Sequence, residues 1–305
     1  DYTFMRDKMT SLQRLNLKEG ESIINGVYAI PNGAFYRKKT LSKCFLPEKL
    51  ERIERNAFSY TALTGSLLLP EGLKYVSGFA YTNITNVHFP STLEEIGGEA
   101  FHYCMSLMTE ISLPQSLKVI GDEAFSSAAI SGNLVLPDEL ESIGVQAFGG
   151  CSSLKGSLTI PNKVTVISAF AFSGCGFTGT LTLPAGLVEI QEYAFCNTKF
   201  KVELNIPSTV TTIGNFAFQN TLFNGTLVLP SELISLGTGV FWGCWRLSGV
   251  VEIPSNIVAI PSNLFSDCTW LEGVVLHKDV EVIEASAFNN CYGIHSIVCK
   301  AKNPP

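Results

Sequence analysis

The chain has 305 residues, a net charge of −6 and only 16% charged residues. No Lys/Arg stripe is available to neutralise phosphates, which argues against nucleic acid as a partner, and no apolar run approaches the ~20 residues of a membrane span. The chain begins at Asp1 with neither Met nor a signal peptide, so it reads as processed or trimmed. Residues 1–11 carry Phe4, Met5 and Met9 at helical spacing and are expected to form an N-terminal cap. Leu12, Leu15 and Leu17 then open a strand, the first of a solenoid expected over residues 12–305, with an irregular loop from Lys18 to Gly26.

From Pro47 onward the sequence repeats every 23 or 24 residues, at Pro47, Pro70, Pro90, Pro114, Pro137, Pro161, Pro184, Pro207, Pro230 and Pro254. Only the coil from Glu71 to Pro90 is short, by three residues. A large apolar residue precedes each proline, another follows six residues later, and an aromatic follows at eleven: Phe58, Tyr81, Phe101, Phe125 and so on to Phe265. A fixed period of this size means a solenoid, in which each coil buries its apolar edge only against its neighbours. Within one coil, Leu158 and Ile160 alternate with Ser157 and Thr159, the pattern of a strand with one buried face. Pro161 lacks a backbone donor and ends that strand. Val164 and Ile167 then point inward from a second extended piece, and Ala171-Phe172 turns the corner with the Phe filling the interior. The glycines Gly156, Gly179, Gly225 and Gly249, placed just ahead of the strand residues, are expected to bulge it.

The Leu-x-x-Leu-x-Leu of Leu12–Leu17, repeated at Leu41–Leu46 with Cys44 in the middle slot, is the leucine-rich-repeat signature. The full unit, Leu-Pro-x-x-Leu-x-x-Ile-x-x-x-Ala-Phe-x-x-Cys, resembles the BspA-like leucine-rich repeats of bacterial and protist surface proteins. Ser208 to Phe218 and Asp138 to Cys151 match it closely. The expected fold is an α/β-type leucine-rich-repeat solenoid of about 12–13 coils, dominated by short parallel β-strands with little helix. The resemblance implies an extracellular or cell-surface location and non-enzymatic adhesion to a protein or glycoprotein ligand, such as host matrix. The other reading is a passive spacer or targeting module for a C-terminal domain. No polar end coil follows Cys299, so further protein is expected beyond Pro305.

Nine cysteines occur. Cys104, Cys151, Cys175, Cys244, Cys268 and Cys291 lie three after the ladder aromatic, where other coils place Thr61, Ala128, Thr198 or Thr221. A slot shared by Cys, Thr and Ala wants a small buried residue, and in-register Cβ vectors are poor disulfide geometry; free buried thiols are expected. His88, His102, His277 and His295 are spread over distant coils, so no catalytic residue, cofactor or metal is expected.

Two features stand out from the columns. Trp242, Trp245 and Trp270 sit where other coils carry Ser or Gly, and Phe170, Tyr193 and Phe216 share a column that elsewhere holds Asn56, Glu123 or Gln146. Aromatic clusters are favoured at binding surfaces, so these six are the candidate ligand-binding residues; packing beneath loops is the alternative. The pair of residues ahead of the inward Ile also changes, from Glu51-Arg52 and Glu94-Glu95 to Thr211-Thr212 and Val258-Ala259. That stripe reads as either a partner surface or a covered flank.

Overall fold

The computed structural model describes residues 23–24, 27–44 and 46–300. The expected cap and the strand at Leu12–Leu17 lie outside these residues. What is described is a parallel β-solenoid of about twelve turns, without helix among the described residues.

Each coil contributes two short extended segments, and the second one builds the more continuous ladder. Arg52–Ile53 pairs with Tyr75–Val76, Tyr75–Val76 with Glu95–Ile96, and so on to Ser142–Ile143, always parallel and in register. The ladder starts at an antiparallel hairpin, Ile23–Ile24 against Val27–Ile30, and resumes from Val166–Ile167 to Ser235–Leu236. The segment before each proline pairs only in twos and threes. Glycine explains the interruption. The register shifts between Gly65 and Ser66, and Gly156, with φ of 73°, separates Leu154–Lys155 from Leu158–Thr159. A register irregularity of the expected kind is thus present at Gly65, and at Gly156 and Gly249 the strand is interrupted, whereas Gly225 lies within a strand.

The core is a set of columns. Twelve Phe rings from Phe35 to Phe288 stack continuously, neighbouring centroids 5.0–5.9 Å apart and planes within 13°. Leu and Ile columns flank them, with Ile53, Ile96, Ile120 and Ile190 wholly buried. Each buried side chain of this size contributes about 1.5–3 kcal/mol by leaving water.

One expectation is corrected here. In the short coil the ladder ring is Phe79, stacked between Phe58 and Phe101, and not Tyr81. Two of the missing residues fall between Val76 and Phe79, where other coils have five steps from Ile to Phe. Gly78 closes that gap at φ of 87°; a Cβ there would lie 2.5 Å from Ala57 N and Glu54 O, so only glycine fits. Counting from the proline therefore overshoots the ring by two.

All nine cysteines are free. The column slot has a specific use. The Sγ of Cys151, Cys175, Cys244 and Cys268 donates to the Phe carbonyl of the preceding coil at 3.1 Å, whereas Thr61, Thr198 and Thr221 bond the Phe carbonyl of their own coil. The longer C–S reach turns this residue into a tie between coils. Cys299 departs from the buried expectation: it is exposed, because Ser296–Cys299 is the edge of its three-stranded sheet among the described residues.

Candidate functional site

The turn around each ladder Phe contains two left-handed residues, one two positions before the ring and one two positions after, except that in the short coil the first is Gly78, directly before Phe79. Most donate their N–H to the following coil, as Phe170 does to Glu192 O at 3.0 Å and Asn197 to Gln219 O at 2.8 Å. Gly, Asn and Asp adopt this backbone readily; a bulky side chain there costs roughly 1–2 kcal/mol. Each turn edge thus presents two rows whose occupants should be small or polar.

The first row runs Gly33, Asn56, Glu99, Glu123 and Gln146, then turns aromatic. Phe170, Tyr193 and Phe216 hold φ of 57°, 55° and 56°. Their rings stack at 4.7 Å and 5.0 Å, and Phe216 meets Trp242 at 6.2 Å with planes tilted by 47°. All four are half-buried. Trp242 is also anchored, its Nε1 donating to Asp267 Oδ2 at 2.7 Å. Trp245 and Trp270 lie apart from this row. They meet edge-on at 5.3 Å and are 41% and 52% exposed. The Arg246 guanidinium sits 5.5 Å from the Trp245 ring centre. At the position that Trp270 occupies, the following coil has Gly293, where a Cβ would come within 2.8 Å of Leu271 O and 2.9 Å of Thr269 O. No side chain can stand beside the indole from that position. Tyr292, next in chain to Gly293, is 79% exposed. The six residues singled out from sequence therefore form two groups, a stacked row ending on Trp242 and an exposed Trp245–Trp270 pair.

The second left-handed row holds what the sequence columns did not reveal. Arg37, Tyr60, Tyr81 and Tyr103 occupy it in four successive coils at φ of 59°, 61°, 56° and 52°, ahead of Ser127, Gly150, Gly174 and Asn197. Tyr60 and Tyr81 stack at 4.3 Å, Tyr81 and Tyr103 at 5.0 Å, and Tyr36 meets Tyr60 edge-on at 5.7 Å. Misassigning Tyr81 to the Phe column concealed this row. The available signal was Tyr60 and Tyr103 in a column that the later coils fill with Ser, Gly, Asn and Asp.

Charge divides along the flank ahead of the inward Ile. The first coils carry ion pairs: Lys118 to Glu94 at 2.9 Å and Lys163 to Glu139 at 2.6 Å, and the lysines hold both carboxyl groups below their usual range. Farther along, Val188, Ile234 and Val258 are exposed, Ile234 by 64%. Among the described residues no group of three or more His, Cys, Asp or Glu converges as a metal site would require. Burial pushes the thiols up, Cys104 to about 11 and Cys244 to about 12, so they stay protonated and non-nucleophilic at neutral pH. The surface offers rings, hydroxyls and a few charges, which is recognition chemistry.

The sequence profile of the BspA type leucine rich repeat region matches residues 8–131, 75–201, 118–247 and 188–303. The chain belongs to this family. The BspA-type chain is similar to a leucine-rich repeat protein from Bacteroides ovatus, at 25% identity and a TM-score of 0.66 over 81% of this chain and 69% of that one. It also resembles a leucine rich cell surface protein from Faecalibacterium prausnitzii, at 21% identity and a TM-score of 0.37 over 77% of this chain and 87% of that one. No curated protein matches the chain in sequence. Leucine-rich repeat proteins are in general protein-interaction scaffolds and typically not enzymes. No helix among the described residues is long and apolar enough to cross a membrane.

Proposed function

We propose that this BspA-type chain is a non-enzymatic binding scaffold, displayed outside the cell, that holds a protein or glycoprotein ligand such as a host matrix component. The observation that carries the reading is the exposed Trp245–Trp270 pair, with one indole flanked by a glycine and Tyr292 close by in chain. Tryptophan dominates binding hot spots because it removes a large apolar area from water on docking at little entropic cost. A rigid parallel stack beneath the pair holds it in place before the ligand arrives, which lowers the ordering cost of association. The family match supports placing the chain outside the cell. The six aromatic residues divide the work: Trp245 and Trp270 contact the ligand, while Phe170, Tyr193, Phe216 and Trp242 stiffen the turn edge.

The experiment is surface plasmon resonance of the chain against fibronectin, fibrinogen, laminin, collagen and mucin, with Trp245→Ala/Trp270→Ala alongside. Saturable binding that the double variant loses by about 2 kcal/mol or more, with its fold intact by circular dichroism, supports the assignment. Binding that survives the double variant moves the site elsewhere. A second reading, a spacer carrying no ligand of its own, is favoured by the way Trp242 is hydrogen-bonded to Asp267 and packed against Phe216. It predicts no saturable binding to any of the five.

A further inference from the structure

The row Arg37, Tyr60, Tyr81 and Tyr103 has no part in the proposal above. We propose that it is a second binding site, for a linear anionic glycan: a polysaccharide bearing carboxylate or sulfate groups. The first argument is conformational. Four successive coils place a large side chain in left-handed backbone, where later coils use Ser127, Gly150, Gly174 and Asn197. Interior packing does not account for the choice, because Tyr81 and Tyr103 are 37% and 43% exposed. Backbone strain maintained at a solvent-facing surface points to function.

The chemistry of the row narrows the ligand. The tyrosine rings cover one another's faces, so they present their edges and a line of phenol oxygens repeating at the coil spacing. Each phenol can both donate and accept, and Tyr81 Oη is oriented by His102 Nε2 at 3.3 Å. At the N-terminal end of the line, Arg37 lies 5.6 Å and Lys39 5.7 Å from the Tyr60 ring centre. Neither has a carboxylate partner among the described residues, while the nearby Glu99 and Glu123 face Arg55 and His102. On a chain of net charge −6, these two cations beside a hydroxyl row form a local anion site.

A glycan fits better than an extended peptide. The main-chain N–H groups of the row are already bonded to the next coil: Arg37 to Ser59 O at 3.0 Å, Tyr60 to Ala80 O at 2.9 Å, Tyr81 to His102 O at 2.8 Å and Tyr103 to Ser126 O at 2.9 Å. A peptide strand would find none of these donors free for strand addition. Sugar hydroxyls and acid groups need only the side chains that the row supplies.

The test is isothermal titration of the full chain with heparin, hyaluronate, polygalacturonate, neutral dextran and poly-glutamate. At least one anionic glycan is expected to bind, more weakly as salt rises, and dextran and poly-glutamate are not. Arg37→Ala/Lys39→Ala should weaken that binding about tenfold, the scale of two charge-assisted contacts. Tyr81→Asn, which suits the left-handed backbone, should weaken it while leaving Tm within a few degrees. Trp245→Ala/Trp270→Ala should leave it unchanged, which separates this site from the protein-binding one. Three results would overturn the assignment: no anionic glycan binds, both row variants bind as the parent does, or poly-glutamate binds in place of the glycans.

Discussion

Raising the pH from 8 to 10 should unfold this solenoid through its cysteine column. An unfolded thiol has its ordinary pKa of 9.0, whereas burial raises Cys104 to about 11 and Cys244 to about 12. Burial holds Cys151, Cys175 and Cys268 higher as well. Between these values the unfolded chain releases protons that the folded chain keeps. Stability is therefore complete below about pH 9 and falls as pH rises toward the folded values. By pH 10 each such thiol removes about 1.4 kcal/mol, and five remove about 7 kcal/mol, against a total of about 5–15 kcal/mol for a typical domain. The assay is urea denaturation followed by circular dichroism at pH 8 and pH 10. The comparison is a variant with Cys151, Cys175 and Cys268 replaced by Ala, the residue this column already tolerates at Ala128. The variant should be weaker at pH 8 but lose about 4 kcal/mol less than the parent between the two pH values, since three of the raised thiols are gone. Tyrosine ionisation is common to both proteins and cancels in the difference. An equal pH loss in parent and variant would refute the assignment to thiols.

Replacing Phe172 by Ala should cost about 3–5 kcal/mol, because its ring is fully buried and stacked at 5.7 Å on Phe148 and 5.6 Å on Phe195. Since each coil touches only its neighbours, the thermal melt should also broaden or split. Labelling with Ellman's reagent at pH 8 should show Cys299 reacting first and the part-buried Cys44 and Cys291 more slowly, with Cys175 reacting only after denaturation; fast reaction of Cys175 would contradict its enclosure.

The architecture was legible because a solenoid writes the same physical requirement many times. The Leu, Ile, Phe and Cys columns each recur often enough that one exceptional coil does not hide them. The short coil shows the limit: measured from Pro70, Tyr81 falls in the Phe column, and only three-dimensional stacking returns that place to Phe79. The same slip hid the tyrosine row, since a row is visible in sequence only when its columns are aligned. Trp245 and Trp270 stood out because nothing in the repeat calls for indoles there. Their exposure, and the anchoring of Trp242 by Asp267, depend on neighbours some 25 residues away and leave no local trace.

Gly78 and its shortened turn bear on how such a chain can change. Two residues are missing between Val76 and Phe79, yet the rings of Phe58, Phe79 and Phe101 remain stacked at 5.0 Å and 5.8 Å. Deletion within a turn is thus absorbed at the rim and not transmitted to the interior. Gain or loss of a whole coil disturbs even less, because each interface is the same as the next. Duplication by unequal recombination therefore lengthens or shortens the molecule in steps of one strand spacing, about 5 Å. Lineages can in this way adjust the distance between surface sites at opposite ends without redesigning either.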